Sequence, residues 1–112
     1  METTRQLKIS RLIQKELAEY FRGTGLELGK GTLISVTVVR ISPDLSIARV
    51  YLSIFPPAQR EVILKGLEAQ NKSIRFELGR KIAHQVRHIP ELKFFIDDSL
   101  DYAERIDQLL KQ

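Results

Sequence analysis

The stretch Leu33–Phe55, LISVTVVRISPDLSIARVYLSIF, limits what this chain can fold into more than any other. Two runs rich in β-branched residues, Leu33–Ile41 and Ile47–Phe55, flank Ser42-Pro43-Asp44-Leu45-Ser46. Proline presets φ at the first turn position and aspartate accepts hydrogen bonds from nearby backbone N–H groups, so the spacing predicts a β-hairpin with a longer loop. Ile34, Val36 and Val38 alternate with Ser35 and Thr37; Ala48, Val50, Leu52 and Ile54 alternate with Arg49, Tyr51 and Ser53. The apolar face of such a sheet requires cover, and segments with helical periodicity lie on both sides of it in sequence.

Before the hairpin, Thr3 or Thr4 can cap a helix whose apolar residues Ile9, Leu12, Ile13, Leu17, Tyr20 and Phe21 recur at helical spacing. Gly23-Thr24-Gly25 is expected to end it, with 26–31 a loop. After the hairpin, Pro56-Pro57 stops the strand and opens a helical pattern that runs to about Arg87. Ile63, Leu67, Ile74, Leu78, Ile82 and Val86 share one face, but Asn71 stands where an apolar residue is due. Two helices, or one helix with a shallow kink at 70–73, are therefore predicted. An unpartnered buried amide at 71 would make Asn71→Leu stabilising, with Lys72 left at the bend. Pro90 ends the pattern, and Leu92, Phe94 and Ile96 alternate with Lys93 and Phe95 in a third strand, parallel to the second. Asp97-Asp98-Ser99 supplies capping oxygens for a last helix carrying Leu100, Ala103, Ile106, Leu109 and Leu110. The expected fold is α+β, one domain over 1–112, with a three-stranded mixed sheet.

Charge is distributed unevenly. The whole chain carries 18 Lys and Arg against 14 Asp and Glu. Residues 1–90 hold 15 basic and 8 acidic side chains, whereas 91–112 hold 3 and 6. A basic body suits a polyanionic partner, although an ordinary solvated surface has the same composition. Lys8, Arg11, Lys15 and Arg22 fall within roughly 60° of arc opposite the apolar stripe of the first helix, and Lys65, Lys72, Arg80 and Arg87 cluster within about 80° on the second helical segment. Tyr51 and Phe95 either offer stacking faces on the open side of the sheet, as RNA readers use, or fill the core.

Catalysis finds little support. His84 and His88 sit at i and i+4 with no carboxylate between them to complete a metal site, so helix-surface histidines are expected. Asp97, Asp98 and Asp101 lie at a strand-to-helix junction, where capping accounts for them better than Mg²⁺ or acid–base chemistry. The run from Gly25 to Thr32 has three residues between Gly25 and Gly29, Gly31 after Lys30, and a strand to follow; a phosphate-binding loop needs four residues, Ser or Thr, and a helix. No metal, cofactor or catalytic residue is expected. The chain has no cysteine, no bilayer-length apolar run and no signal-peptide region at METTRQLK, so a cytoplasmic, soluble protein is expected.

Three stretches together resemble the ribosome-binding factor A family. They are Thr37–Leu52, with its Ser42-Pro43-Asp44-Leu45 turn; Ile74-Arg75-x-x-Leu78-Gly79; and Ile89-Pro90-Glu91-Leu92-Lys93-Phe94-Phe95-Ile96-Asp97-Asp98-Ser99-Leu100. The resemblance implies a type II KH-like fold, α-β-β-α-kink-α-β with a C-terminal helix, and a non-catalytic factor that binds the small (30S) ribosomal subunit and its 16S rRNA during late maturation and rRNA processing. It departs from the family where Gln70-Asn71-Lys72 replaces an Ala-x-Gly kink.

The expected RNA-binding side chains are Lys8, Arg11 and Lys15 on the first helix and Lys72, Arg75, Arg80, Lys81 and Arg87 on the second segment. A monomer with no role at a membrane is expected, with an assembly GTPase as a candidate partner. Two other readings share these features. One is a KH-like single-stranded RNA-binding module outside ribosome assembly, against which the missing Gly-x-x-Gly loop counts; the other is a protein-interaction domain using the open sheet face.

Overall fold

A computed structural model of the chain describes residues 3–28 and 33–97, with residues 23–28 described as backbone alone. Helix α1 spans Thr4–Leu28, strands β1 and β2 span Leu33–Ile41 and Ile47–Phe55, and a short 3₁₀ turn at Pro57–Gln59 leads into α2, Arg60–Ala69. Helix α3 follows at Asn71–Ile82, and β3 at Glu91–Ile96. The strand order is β1-β2-β3, with β1 antiparallel and β3 parallel to β2. The α-β-β-α-kink-α-β order and the mixed sheet match expectation; the predicted C-terminal helix lies outside the described residues.

Among the described residues, only one sheet face is buried. Ile34, Val36, Val39 and Ile41 of β1, Ala48, Val50, Leu52 and Ile54 of β2, and Leu92 and Phe94 of β3 form one cluster with Ile9, Ile13, Leu17 and Phe21 of α1. Ile63 and Leu67 of α2 and Ile74, Leu78 and Ile82 of α3 complete it. All three helices therefore lie on the same side of the sheet.

Strand β1 departs from simple alternation. Val36 stands opposite Leu52 and Val38 opposite Tyr51, so Thr37 is an extra residue with no partner of its own. A bulge of this kind flips every later side chain to the other face. Val38, expected in the core, is exposed, and Val39 is buried in its place. The bulge is held on both sides. The Thr37 hydroxyl donates to Asp97 Oδ2 at 2.6 Å, while Gln14 Nε2 of α1 donates to the Val36 and Thr37 carbonyls at 3.2 Å each. Gln6 repeats the device further along the same edge strand: its Nε2 donates to the Ile41 carbonyl at 2.9 Å. Gln6 also completes a reciprocal cap with Thr3, whose N–H donates to Gln6 Oε1 at 2.8 Å while the Gln6 N–H donates to Thr3 Oγ1 at 3.1 Å.

The hairpin loop is organised by Asp44. Its Oδ1 accepts from the Ser42 and Ser46 hydroxyls at 2.7 Å each and from the Ser46 N–H at 3.1 Å. These bonds, the Ser42 hydroxyl's first, hold the carboxyl at about 2 against an ordinary value near 3.8. Leu45 follows with φ 62°, left-handed backbone that a leucine adopts here while packing against the edge of the core.

Two helix ends differ from expectation. Helix α1 continues through Gly23 and Gly25 to Leu28, because a helical glycine costs only about 1 kcal/mol and no proline forbids the next turn. Helix α3 stops at Ile82 rather than near Arg87, since residues 83–90 must carry the chain back to the start of β3, where the Glu91 N–H meets the Ser46 carbonyl at 2.8 Å. His84 and His88 consequently lie in the connection, off the helix.

The α2–α3 break is one residue wide. Gln70 alone leaves helical geometry, at φ −99° and ψ 11°, while its N–H still reaches the Gly66 carbonyl and its carbonyl the Ile74 N–H. Asn71 is not left for water or a turn to satisfy, as expected from sequence. Its Nδ2 donates to the Leu92 carbonyl of β3 at 2.9 Å. One helical turn later, Arg75 Nε donates to the Pro90 carbonyl at 3.1 Å and Nη2 to that of Ile89. Another turn on, Gly79 faces Ile89 so closely that a Cβ would stand 3.2 Å from its Cγ1. Positions 71, 75 and 79 thus form a seam joining α3 to the chain entering β3.

Three measurements test this description. By urea denaturation, Val39→Ala should cost about 2 kcal/mol and Val38→Ala less than about 0.5 kcal/mol; equal costs would refute the bulged register. Asn71→Leu, stabilising on sequence grounds, should instead lower stability by about 1 kcal/mol, because it removes the bond to Leu92. Asp44 has a depressed pKa, so its contribution is complete above pH 3.8 and lost as pH falls through about 2. Asp44→Asn should flatten the urea midpoint's pH dependence within that window and leave it unchanged between pH 5 and 7.

Candidate nucleic-acid interface

Helix α1 turns Ile9, Ile13, Leu17 and Phe21 to the sheet, which leaves Lys8, Arg11 and Lys15 exposed on its outer side. On α3 the buried residues Ile74, Leu78 and Ile82 likewise leave Lys72, Phe76 and Arg80 outward, at i, i+4 and i+8. The two helices are neighbours in one layer. Lys81 Nζ of α3 lies 3.9 Å from Glu16 Oε2 of α1.

An open groove runs between α3 and the connection that follows it; Lys72, Arg75, Phe76, Gly79, Arg80, Arg87 and His88 are among its lining residues, with the carboxylates of Glu68 and Glu91 at its margins. It exists because Gly79 lets the connection approach the helix closely. Phe76 is 66 % exposed between two cations and belongs to no part of the core. It is absent from the side chains expected on sequence grounds, although it stands visibly out of phase with Ile74, Leu78 and Ile82.

The eight predicted side chains are not equivalent. Lys8, Arg11, Lys15, Lys72 and Arg87 are exposed and make no ion pair among the described residues. Arg80 pairs with Glu77 at 3.5 Å on its own helix, and Lys81 with Glu16. Arg75 spends its guanidinium on the carbonyls of Ile89 and Pro90. Lys72 occupies the first turn of α3, where the helix dipole already presents positive charge and no acidic side chain offsets it. Arg87 lies beyond the helix end, so the single helical arc of cations expected from sequence is divided between α3 and the connection.

Among the described residues, no group of three or more His, Cys, Asp or Glu side chains could hold a metal ion, and Asp97 is engaged by Thr37. Asp98 and Asp101 lie outside the described residues.

The chain is similar to known proteins along nearly its whole length. The family model described as ribosome-binding factor A matches residues 5–110. The ribosome-binding factor A of Cytophaga hutchinsonii is 46 % identical over 112 residues, covering 100 % of this chain and 84 % of that protein. The crystal structure of ribosome-binding factor A from Thermus thermophilus superposes with a TM-score of 0.68 at 26 % identity, covering 81 % of this chain and 94 % of that one. A homology model of the Thermus thermophilus factor, fitted into an electron cryo-microscopy map of a 30S–RbfA complex, shares the fold with a TM-score of 0.62 at 21 % identity, covering 88 % and 97 %. On a match that spans nearly the whole sequence, the chain belongs to the ribosome-binding factor A family.

Proposed function

We propose that this chain binds the small ribosomal subunit through its 16S rRNA and assists late maturation and rRNA processing of that subunit. The observation that carries the proposal is the outer surface of the helical layer, where Lys8, Arg11 and Lys15 are exposed on α1 and Lys72, Arg80 and Arg87 line a groove with an exposed Phe76. Backbone phosphates are met by cations spread along a surface, and an unpaired base can stack on an exposed ring. The fitted 30S complex of the Thermus thermophilus factor supports the choice of target. In this reading residues 1–112 act as one RNA-binding domain, a cytoplasmic monomer that catalyses no reaction, with an assembly GTPase as the partner that triggers release. No described helix is long and apolar enough to cross a membrane.

Sedimentation with purified small subunits across a salt series tests the proposal. Binding should weaken as salt rises, and the double variant Lys72→Glu, Arg80→Glu should weaken it at least tenfold while lowering the log–log salt slope by about 2. Salt-insensitive binding, or a double variant that binds like the parent, would refute it. Arg75→Gln should lower stability instead, by about 1–3 kcal/mol, since its bonds are to the chain itself.

A further inference from the structure

The sheet face away from the helices carries an arrangement that the fold does not require. Strand register places Arg40 of β1 beside Arg49 of β2, and Arg49 beside Lys93 of β3. Three cations therefore stand in one lateral row, neighbours about 5 Å apart at the strand spacing. Like charges directly opposite one another destabilise a sheet, so stability gives no reason for the row. Among the described residues none of the three makes an ion pair. Glu91 lies two positions before Lys93, on the same face but beside Ile47, and forms no ion pair either.

The next row along the strands is apolar and aromatic. Val38 stands beside Tyr51 and Tyr51 beside Phe95, placed together by the bulge at Thr37. The Tyr51 and Phe95 rings stack with centroids 5.4 Å apart at 26°. Phe95 is 39 % exposed and Val38 38 %. Beyond this row the Asp97 carboxylate, bound by Thr37, closes the far side with negative charge. The face is therefore polar in direction: cations on one side of the rings, an acid on the other.

We propose that this open face is a second RNA-binding surface that takes an unpaired strand, with bases against Phe95 and Tyr51 and phosphates along Arg40, Arg49 and Lys93. Charge complementarity selects a polyanion, and the exposed ring selects one whose bases are free to stack. The inference rests on the subunit-binding reading for the choice of RNA, and adds that the two faces of the molecule engage different features: backbone on the helical side, unstacked bases on the sheet side.

The test uses the full chain and a fluorescein-labelled ten-nucleotide RNA without self-complementarity, with a duplex of the same length as comparison. The single strand should bind more tightly. Phe95→Leu, which keeps apolar bulk and removes the π-face, should weaken that binding about five- to a hundredfold. The triple variant Arg40→Gln, Arg49→Gln, Lys93→Gln should lower the log–log salt slope by about 2. The chain has no tryptophan and three tyrosines, so stacking should quench tyrosine emission, and Tyr51→Phe should remove most of that signal. Urea midpoints confirm that each variant is folded. Equal affinity for duplex and single strand, or Phe95→Leu and the triple variant both binding like the parent, would overturn the inference. If those variants bind normally while Lys72→Glu, Arg80→Glu loses the subunit, this inference alone falls.

Discussion

Among the described residues the sheet has three strands and a single buried face, and much of the molecule follows from that. Ala48, Val50, Leu52 and Ile54 of the central strand bury their side chains on one side only, so one helical layer is sufficient cover. Helices α1, α2 and α3 therefore share a side, and their outward surfaces form one exposed layer. The edges need separate treatment. Gln6 and Gln14 of α1 supply side-chain donors to carbonyls of β1, while Asn71 and Arg75 of α3 supply them to carbonyls in and before β3. Each edge of the sheet is thus tied to a helix by amide or guanidinium groups, which meets backbone acceptors and obstructs pairing with another strand.

The residues that make the sequence recognisable are mostly architectural. Ile74-Arg75-x-x-Leu78-Gly79 and Ile89-Pro90-Glu91-Leu92 lie apart in sequence but form one joint. Arg75 binds the carbonyls of Ile89 and Pro90, Gly79 admits the Ile89 side chain, and Ile74 and Leu78 face the core beside Leu92. That joint sets where the connection 83–90 runs, and so shapes the groove in front of Phe76. In the proposed function the motif serves RNA recognition by building the surface rather than by touching phosphate.

Much of this is legible in sequence because it depends on periodicity. The alternation in β2 and β3, the stripe of α1, the break near Asn71 and the stop at Pro56 all follow from local pattern and proline geometry. What is not legible depends on partners distant in the chain. The bulge at Thr37 leaves a plausible alternation in place, and its evident anchors are Gln14 and Asp97. Arg75 looks like any cation on a helix until Ile89 and Pro90 are placed beside it. The end of α3 likewise reflects where β3 must begin, which periodicity through Val86 conceals. The aromatic row is half legible: sequence puts Tyr51 and Phe95 on the open side or in the core, and only register shows that they stack on each other and adjoin a row of cations.

Counting cations says less about binding than asking what each gives up to bind. Arg80–Glu77 is an exposed pair at 3.5 Å, of a kind that contributes less than about 1 kcal/mol, so a phosphate can displace that carboxylate at small cost, whereas Lys81 sits 3.9 Å from a Glu16 side chain only 17 % exposed. Arg75 would have to release two backbone carbonyls that its charge-assisted bonds hold, which makes it a poor donor to RNA despite its exposure. Lys72 gives up nothing, and its place in the first turn of α3 is one that an anion improves. Arg40, Arg49 and Lys93 gain as well, because an anion between them relieves a repulsion already present in the free protein. On this scale the strongest candidates for phosphate contact are the cations with no internal partner and an unfavourable neighbour, and they occur on both faces of the molecule.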